Sequence, residues 1–381
     1  MKLNSAQMPR LYINGFEIEK PIIQGGMGVG ISMSGLASAV ANEGGIGVIS
    51  SVGLGLLESK SLKSYKDENK TALRSEIHKA RVLSKGVLGL NIMVAIADYD
   101  ELVQIAFDEE IDILFLGAGL PLKFPKEISA DRLKHARTRV GVIVSSARAT
   151  QIIFQSWKKN FDHVPDLVVV EGPMAGGHLG FKREQIDDPD YKLEKLIPEV
   201  LSVVKRFEEQ VERVIPVIAA GGIYTGADIY KFLSLGAQGV QMATRFVATH
   251  ECDASLPFKQ SYLNCKKEDL MIIQSPVGLP GRAIRNRFLD EVSAGARKPF
   301  KCPWKCLKTC DFREVPYCIA QALMNAQKGI LEEGYTFAGS NAYRVNEIIS
   351  VKELFHTLEQ EYMEAIYRNT LKPSISKGIL A

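Results

Sequence analysis

Eight short aliphatic runs recur along the first 250 residues, each followed by a glycine or polar turn and then a longer amphipathic stretch. They fall at residues 21–24, 46–50, 88–94, 111–117, 140–144, 166–170, 215–220 and 239–243. Within each run the apolar positions are continuous and do not alternate with polar ones, as in strands covered on both faces. Eight such strands with helix-length connections predict an α/β fold, a (β/α)8 TIM barrel. Two connections, residues 51–87 and 177–214, are too long for one helix and are expected to carry inserted helices. The pattern stops after residue 250, so the expected organisation is a barrel domain over 1–250 and a C-terminal extension over 251–381 packed on it.

Composition narrows the function. The chain has 381 residues, 46% of them hydrophobic, and a formal net charge of +3, which gives a nucleic-acid role no electrostatic support. The first twenty residues lack an apolar signal core and no stretch approaches the length of a membrane span, so a soluble cytoplasmic protein is expected. Four of the six cysteines, Cys302, Cys306, Cys310 and Cys318, crowd into one short stretch of the extension with the spacing C-x3-C-x3-C-x7-C. In a reducing compartment such a cluster reads as a metal site before a disulfide framework. Zinc sites prefer C-x2-C turns, whereas four thiolates on iron and sulfur leave negative charge that Lys301, Lys305 and Lys308 offset. The expectation is a [4Fe-4S] cluster first, with zinc and unligated thiols behind it, Cys252 as a reserve ligand and Cys265 as a bystander.

In a barrel the chemistry collects where the strands end. The first run ends in QGGMGVG (24–30), the third contains Asn91, and the sixth leads to Glu171 and then a Gly176-Gly177-His178 turn. The seventh ends in AAGGI (219–223) and the eighth in ATRF (243–246). Gly221 and Gly222 precede a helix expected near Thr225, and Ala243 and Thr244 form the next turn. Backbone N–H groups at such adjacent turns make a phosphate site. The glycines at 25, 26, 28 and 30 lack the G-x-G-x-x-G spacing of a dinucleotide fold, and suit close approach of a flat ring to the backbone.

The segments PIIQGGMGVGIS, LGLNIMV, EGPMAGGHLG, IPVIAAGGI and GVQMATRFVAT resemble, in order and spacing, the motifs of the nitronate monooxygenase (2-nitropropane dioxygenase-like) family. That family includes flavin-dependent enoyl-acyl-carrier-protein reductases. The resemblance implies an FMN-binding barrel in which Gly25, Gly26 and Met27 meet the isoalloxazine and Asn91 and Glu171 lie near its polar edge or ribityl chain. Gly176, Gly177, Gly221, Gly222, Ala243 and Thr244 would surround the phosphate, with Ala243-Thr244 standing where members often have Gly-Thr. It also makes His178 the catalytic base, a role suited to an imidazole with an ordinary pKa of about 6.5. The other five histidines, at 78, 135, 163, 250 and 356, read as structural or surface groups.

Further segments, ECDA, SPVG, YCIA and YRV..IISV, extend the likeness to a cysteine-cluster branch that resembles the bifunctional decanoyl-acyl-carrier-protein dehydrogenase/isomerase of unsaturated fatty-acid synthesis. The expected activity is therefore FMN-dependent dehydrogenation and isomerisation of a medium-chain acyl thioester. Nitronate oxidation with oxygen, NAD(P)H-dependent enoyl reduction and a flavin/iron-sulfur redox sensor are the alternatives. Arg282, Arg285 and Arg287 read either as a basic patch for an acidic carrier protein or, at least as readily, as a solvated basic face; the sequence leaves the oligomeric state open, with a homodimer as one candidate assembly.

Overall fold

The computed structural model describes residues 7–58, 65–302 and 304–371. The chain opens with a hairpin of β1 (Leu11–Ile13) and β2 (Phe16–Ile18), turned at Asn14-Gly15, both of positive φ (33° and 96°). An Asn-Gly pair supplies the left-handed conformation that a tight hairpin needs. The barrel strands follow as β3 (Ile22–Gln24), β4 (Gly47–Ser50), β5 (Leu88–Met93), β6 (Ile113–Gly117), β7 (Arg139–Val144) and β8 (Leu167–Glu171). After the short β9 (Gly177–His178), which lies outside the barrel, come β10 (Val217–Ala220) and β11 (Gly239–Met242).

The eight barrel strands pair in parallel in the order β3-β11-β10-β8-β7-β6-β5-β4. A bridge between Ile23 and Ile46 brings the two edges together, with Ile46 N–H donating to the Ile22 carbonyl at 2.9 Å. The fold is thus the predicted (β/α)8 TIM barrel, and each aliphatic run of the sequence is one of its strands. Ile23, Val48, Phe115, Leu167, Val169 and Ile218 fill the interior, and Leu11, Ile13 and Ile18 of the hairpin pack into the same cluster. Neighbouring strand residues such as Ile22, Ile49, Leu114 and Val168 join the larger cluster that includes the helices. With both faces buried, most positions in a run are apolar, and polar residues within them such as Gln24, Asp112 and Asp166 are buried and hydrogen-bonded.

Among the described residues the two long connections contain less insertion than expected. Residues 51–87 hold a short helix, Leu54–Glu58, and the crossover helix Tyr65–Leu83. Residues 177–214 hold β9, two single 3-10 turns and the crossover helix Leu193–Val211. Each crossover helix spans 19 residues, so it accounts for most of the surplus length.

The C-terminal extension is built onto the barrel. Its hairpin of β12 (Leu270–Gln274) and β13 (Pro280–Ile284) makes a three-stranded sheet with β9, pairing Gly281 with His178. Its last helix, Val351–Leu371, lies against the barrel helix Gly226–Ser234, where Glu361 accepts the Gly226 N–H at 2.7 Å. Among the described residues no helix is long and apolar enough to cross a membrane.

Candidate active site

A cavity of about 1030 Å³ opens at the C-terminal ends of the barrel strands, and the extension walls one side of it with Val277, Leu323, Phe337 and Gly339. Every sequence-predicted cofactor residue lines it: Gly25, Gly26, Met27, Asn91 and Glu171 from the early strands, and Gly176, Gly177, Gly221, Gly222, Ala243 and Thr244 from the late ones. His178 lines it as well.

At one end the backbone itself forms the wall. Gly221 has φ +90°, and a Cβ there would stand 2.8 Å from the Gly172 carbonyl oxygen. A Cβ on Gly176 would stand 2.5 Å from the backbone of Ala338 and Gly339, so chain packs directly on chain. Among the described residues the N–H groups of Gly176, Gly222 and Thr244 make no hydrogen bond. A backbone N–H is an obligatory donor, and three of them left open at neighbouring strand-end turns suit an anionic oxygen cluster such as a phosphate.

Arg282, on β13, lies behind the Pro173–Ala175 turn. Its Nη1 donates to the carbonyls of Pro173 at 2.7 Å and Ala175 at 2.6 Å, and the side chain is buried. Burial lowers its pKa to about 10, which still leaves it cationic at neutral pH. A fixed positive charge therefore backs the turn that presents Gly176. The candidate basic patch is not formed: Arg282 is buried, while Arg285 and Arg287 are paired with Asp290 at 2.7 Å and Glu291 at 2.8 Å. Those acids lie within one turn of the following helix, so the local charge is neutralised.

A Cβ on Gly26 would stand 2.4 Å from the Asn91 Cβ, so the glycine lets the Gly25–Met27 segment lie against β5. Met27 N–H donates to Ser32 Oγ at 2.8 Å and Gly25 N–H to the Met242 carbonyl at 2.8 Å, which fixes the segment. Glu171 ends β8 inside the cavity, and burial raises its pKa to about 7.

His178 is half-buried, and burial alone lowers its pKa to about 4, so the imidazole is neutral at physiological pH. Its Nε2 lies 2.7 Å from Ser275 Oγ, and its ring meets Phe337 edge-on with centroids 5.0 Å apart. None of the other histidines lines the cavity. His78 contacts Glu109, His135 contacts Asp131, and His163 lies beside buried Asp166.

The cysteine loop docks beside the site. Leu307 bridges Ile96, and the Cys306 carbonyl accepts the Ala97 N–H at 3.0 Å, which ties the loop to the turn after β5. The Cys306 thiol is pushed up to about 12 by burial and then by the nearby Cys318, Cys302 and Cys310. The four thiols are thus gathered in one region. Among the described residues, however, no group of three or more His, Cys, Asp or Glu side chains is arranged to hold a metal ion. Cys252 is buried apart from the four, donating to the Ile31 carbonyl at 3.4 Å, and Cys265 likewise stands outside the loop.

The nitronate monooxygenase family profile matches residues 10–361. The chain belongs to this family. It is an oxidoreductase built on the family's barrel. A protein of Staphylococcus aureus described as a probable nitronate monooxygenase is 28% identical over 309 residues, covering 72% of this chain and 78% of that protein. Among solved structures, FabK from Thermotoga maritima superposes with a TM-score of 0.71 at 27% identity, covering 93% of this chain and 96% of that one. A nitroalkane oxidase from Streptomyces ansochromogenes matches with a TM-score of 0.68 at 22% identity over 92% of this chain and 98% of that one, a likeness of fold.

Sequence reasoning missed the contribution of the extension to the cavity. Ser275 and Phe337 flank His178 from positions far along the chain, and no local pattern announces them. The SPVGLPG segment, with Pro276, Gly278, Pro280 and Gly281 interleaved with Val277 and Leu279, was the available sign of a hairpin turn.

Proposed function

We propose that the cavity holds FMN and that the protein dehydrogenates and isomerises a medium-chain acyl thioester delivered by acyl carrier protein, with His178 as the base. The carrying observation is the placement of one neutral imidazole in a cavity with unpartnered backbone donors at one end and apolar side chains such as Met93, Phe181 and Val277 along part of its wall. Small-molecule sites span roughly 300–1000 Å³, so this cavity is ample for a cofactor together with an extended apolar chain.

The residues fit FMN. Gly176, Gly222 and Thr244 would hold its phosphate, backed by the Arg282 charge, and Gly25, Gly26 and Met27 would carry its ring opposite Asn91. FMN, when bound, supplies the hydride acceptor that no side chain provides. For dehydrogenation His178 would take the proton α to the thioester carbonyl, and for isomerisation it would take a γ proton of the enoyl thioester and return a proton at the α carbon, which moves the double bond by one position. Met93, Leu120, Phe181, Val277 and Leu279 exclude water and would hold the acyl chain. Lys182 lines the cavity with an exposed side chain and is a cation placed to meet an acidic carrier, while its neighbour Arg183 is paired with Asp187 at 3.3 Å.

A second reading, oxidation of alkyl nitronates with oxygen, draws support from the curated relatives. It asks less of His178, because the substrate is already an anion. Turnover assays with decanoyl-carrier protein and with an alkyl nitronate separate the two. For the four cysteines a [4Fe-4S] cluster remains a proposal of the sequence, tested by iron and sulfide content after anaerobic purification.

A further inference from the structure

We infer that Ser275, on the turn of the C-terminal hairpin, is a positioning residue that fixes which ring nitrogen of His178 acts as the base. The inference rests on the role proposed for His178 and adds how that role is set.

The hairpin brings Ser275 to the imidazole by backbone geometry. Gly281 of β13 pairs with His178 of β9, and Leu179 N–H donates to the Pro280 carbonyl at 2.8 Å. Ser275 is 3% exposed, and it closes the turn twice: its N–H donates to the Leu279 carbonyl at 3.0 Å and its carbonyl accepts the Gly278 N–H at 2.9 Å. The hydroxyl therefore has little freedom, and it stands 2.7 Å from His178 Nε2. On the ring's flank Phe337 is held in turn, its carbonyl accepting the Tyr262 hydroxyl at 2.7 Å and its backbone bridging Ala283.

A neutral imidazole carries one N–H and one lone pair, and the hydrogen bond at one nitrogen decides which is which. Nδ1 makes no hydrogen bond among the described residues. A hydroxyl can accept or donate, and the inferred arrangement has Nε2–H donating to Ser275 Oγ, so that the lone pair lies at Nδ1, the nitrogen left for substrate. In the proton transfer the substrate C–H bond breaks, the Nδ1–H bond forms and the electron pair stays on the substrate. The ring becomes imidazolium, and the Nε2–H···Oγ bond becomes charge-assisted and stronger. Ser275 thus selects the tautomer beforehand and stabilises the charged ring afterwards, without touching substrate.

The test is ring-nitrogen NMR of the FMN-loaded protein labelled with ¹⁵N-histidine, alongside Ser275→Ala and Ser275→Thr. The expected result is a single Nε2–H tautomer for His178, lost in Ser275→Ala and kept in Ser275→Thr. In Ser275→Ala kcat should fall about tenfold with KM and flavin content little changed, and Ser275→Thr should restore it. An Nδ1–H tautomer in the unsubstituted protein, or a Ser275→Ala protein with the original tautomer and kcat, overturns the inference. The nitrogen shifts need no substrate. A protein that shows the Nε2–H tautomer yet turns over no acyl thioester contradicts the functional reading and leaves the tautomer assignment standing.

Discussion

Gly281 on β13 pairs directly with His178 on β9, so the barrel's imidazole is held in place by a strand of the extension. The site belongs to neither part alone. Barrel turns supply the unpartnered N–H groups, and the extension supplies Ser275, Phe337 and the Arg282 cation behind the turn.

His178→Ala should lose turnover by about 100-fold or more while keeping its flavin, because in the proposed site the imidazole would face the ring and is not one of the three open backbone donors. The pH profile carries a second sign. Burial places the folded His178 pKa at about 4, below the ordinary histidine value, so the base is unprotonated down to that pH. The acid limb of activity should fall near pH 4 and not near the usual value of about 6.5. Activity measured across that range on the FMN-loaded enzyme checks it.

Arg282→Met removes two charge-assisted hydrogen bonds to the Pro173–Ala175 turn and leaves both carbonyls buried. Hydrogen bonds to charged groups contribute about 1.5–3 kcal/mol each, so a weakening of FMN binding by at least tenfold is expected. Fluorescence titration of the flavin-free protein measures it. An unchanged Kd would remove Arg282 from the account of the phosphate site.

Glu171 makes the opposite kind of titration. Burial raises its pKa to about 7 in the fold, well above its unfolded value of 4.5. Between those two values the folded state binds the extra proton, so stability from this group is full below the unfolded pKa and is lost as pH rises through about 7. Glu171→Gln should therefore raise the melting temperature of the flavin-free protein at pH near 8 and leave it little changed near pH 4, as differential scanning calorimetry would show.

Gly176→Ala drives a methyl to within 2.5 Å of the Ala338 and Gly339 backbone, which cannot yield as a side chain would. Loss of FMN from the purified protein is expected. Gly278→Ala is the control, because nothing lies within 4 Å of a Cβ there and only the positive φ of +84° is strained.

The barrel was legible because its strands are buried on both faces, and a continuous aliphatic run as short as Leu167–Val170, bounded by polar turns, fits a covered strand and little else. The candidate cofactor residues came from the resemblance, whose motifs sit at strand ends, and all of them line the cavity. The β1–β2 hairpin went unread although alternating LYI and FEI flank an Asn-Gly pair, because its job is to pack beneath the barrel and not to join it. Ser275 stands 97 residues from His178, a contact that only the β9–β13 pairing creates. The arginine patch failed for a local reason: charge type was visible, but the pairing of Arg285 and Arg287 with acids one helical turn on decides their availability. Cysteine spacing likewise showed that four thiols are near each other and not how they are aimed.

The most direct measurement is anaerobic addition of decanoyl-carrier protein to the FMN-loaded enzyme, following flavin absorbance at about 450 nm in the unsubstituted and His178→Ala proteins. The account predicts rapid bleaching in the first and at least about 100-fold slower bleaching in the second. A flavin that stays oxidised with the acyl substrate while an alkyl nitronate reduces it contradicts the acyl-thioester reading.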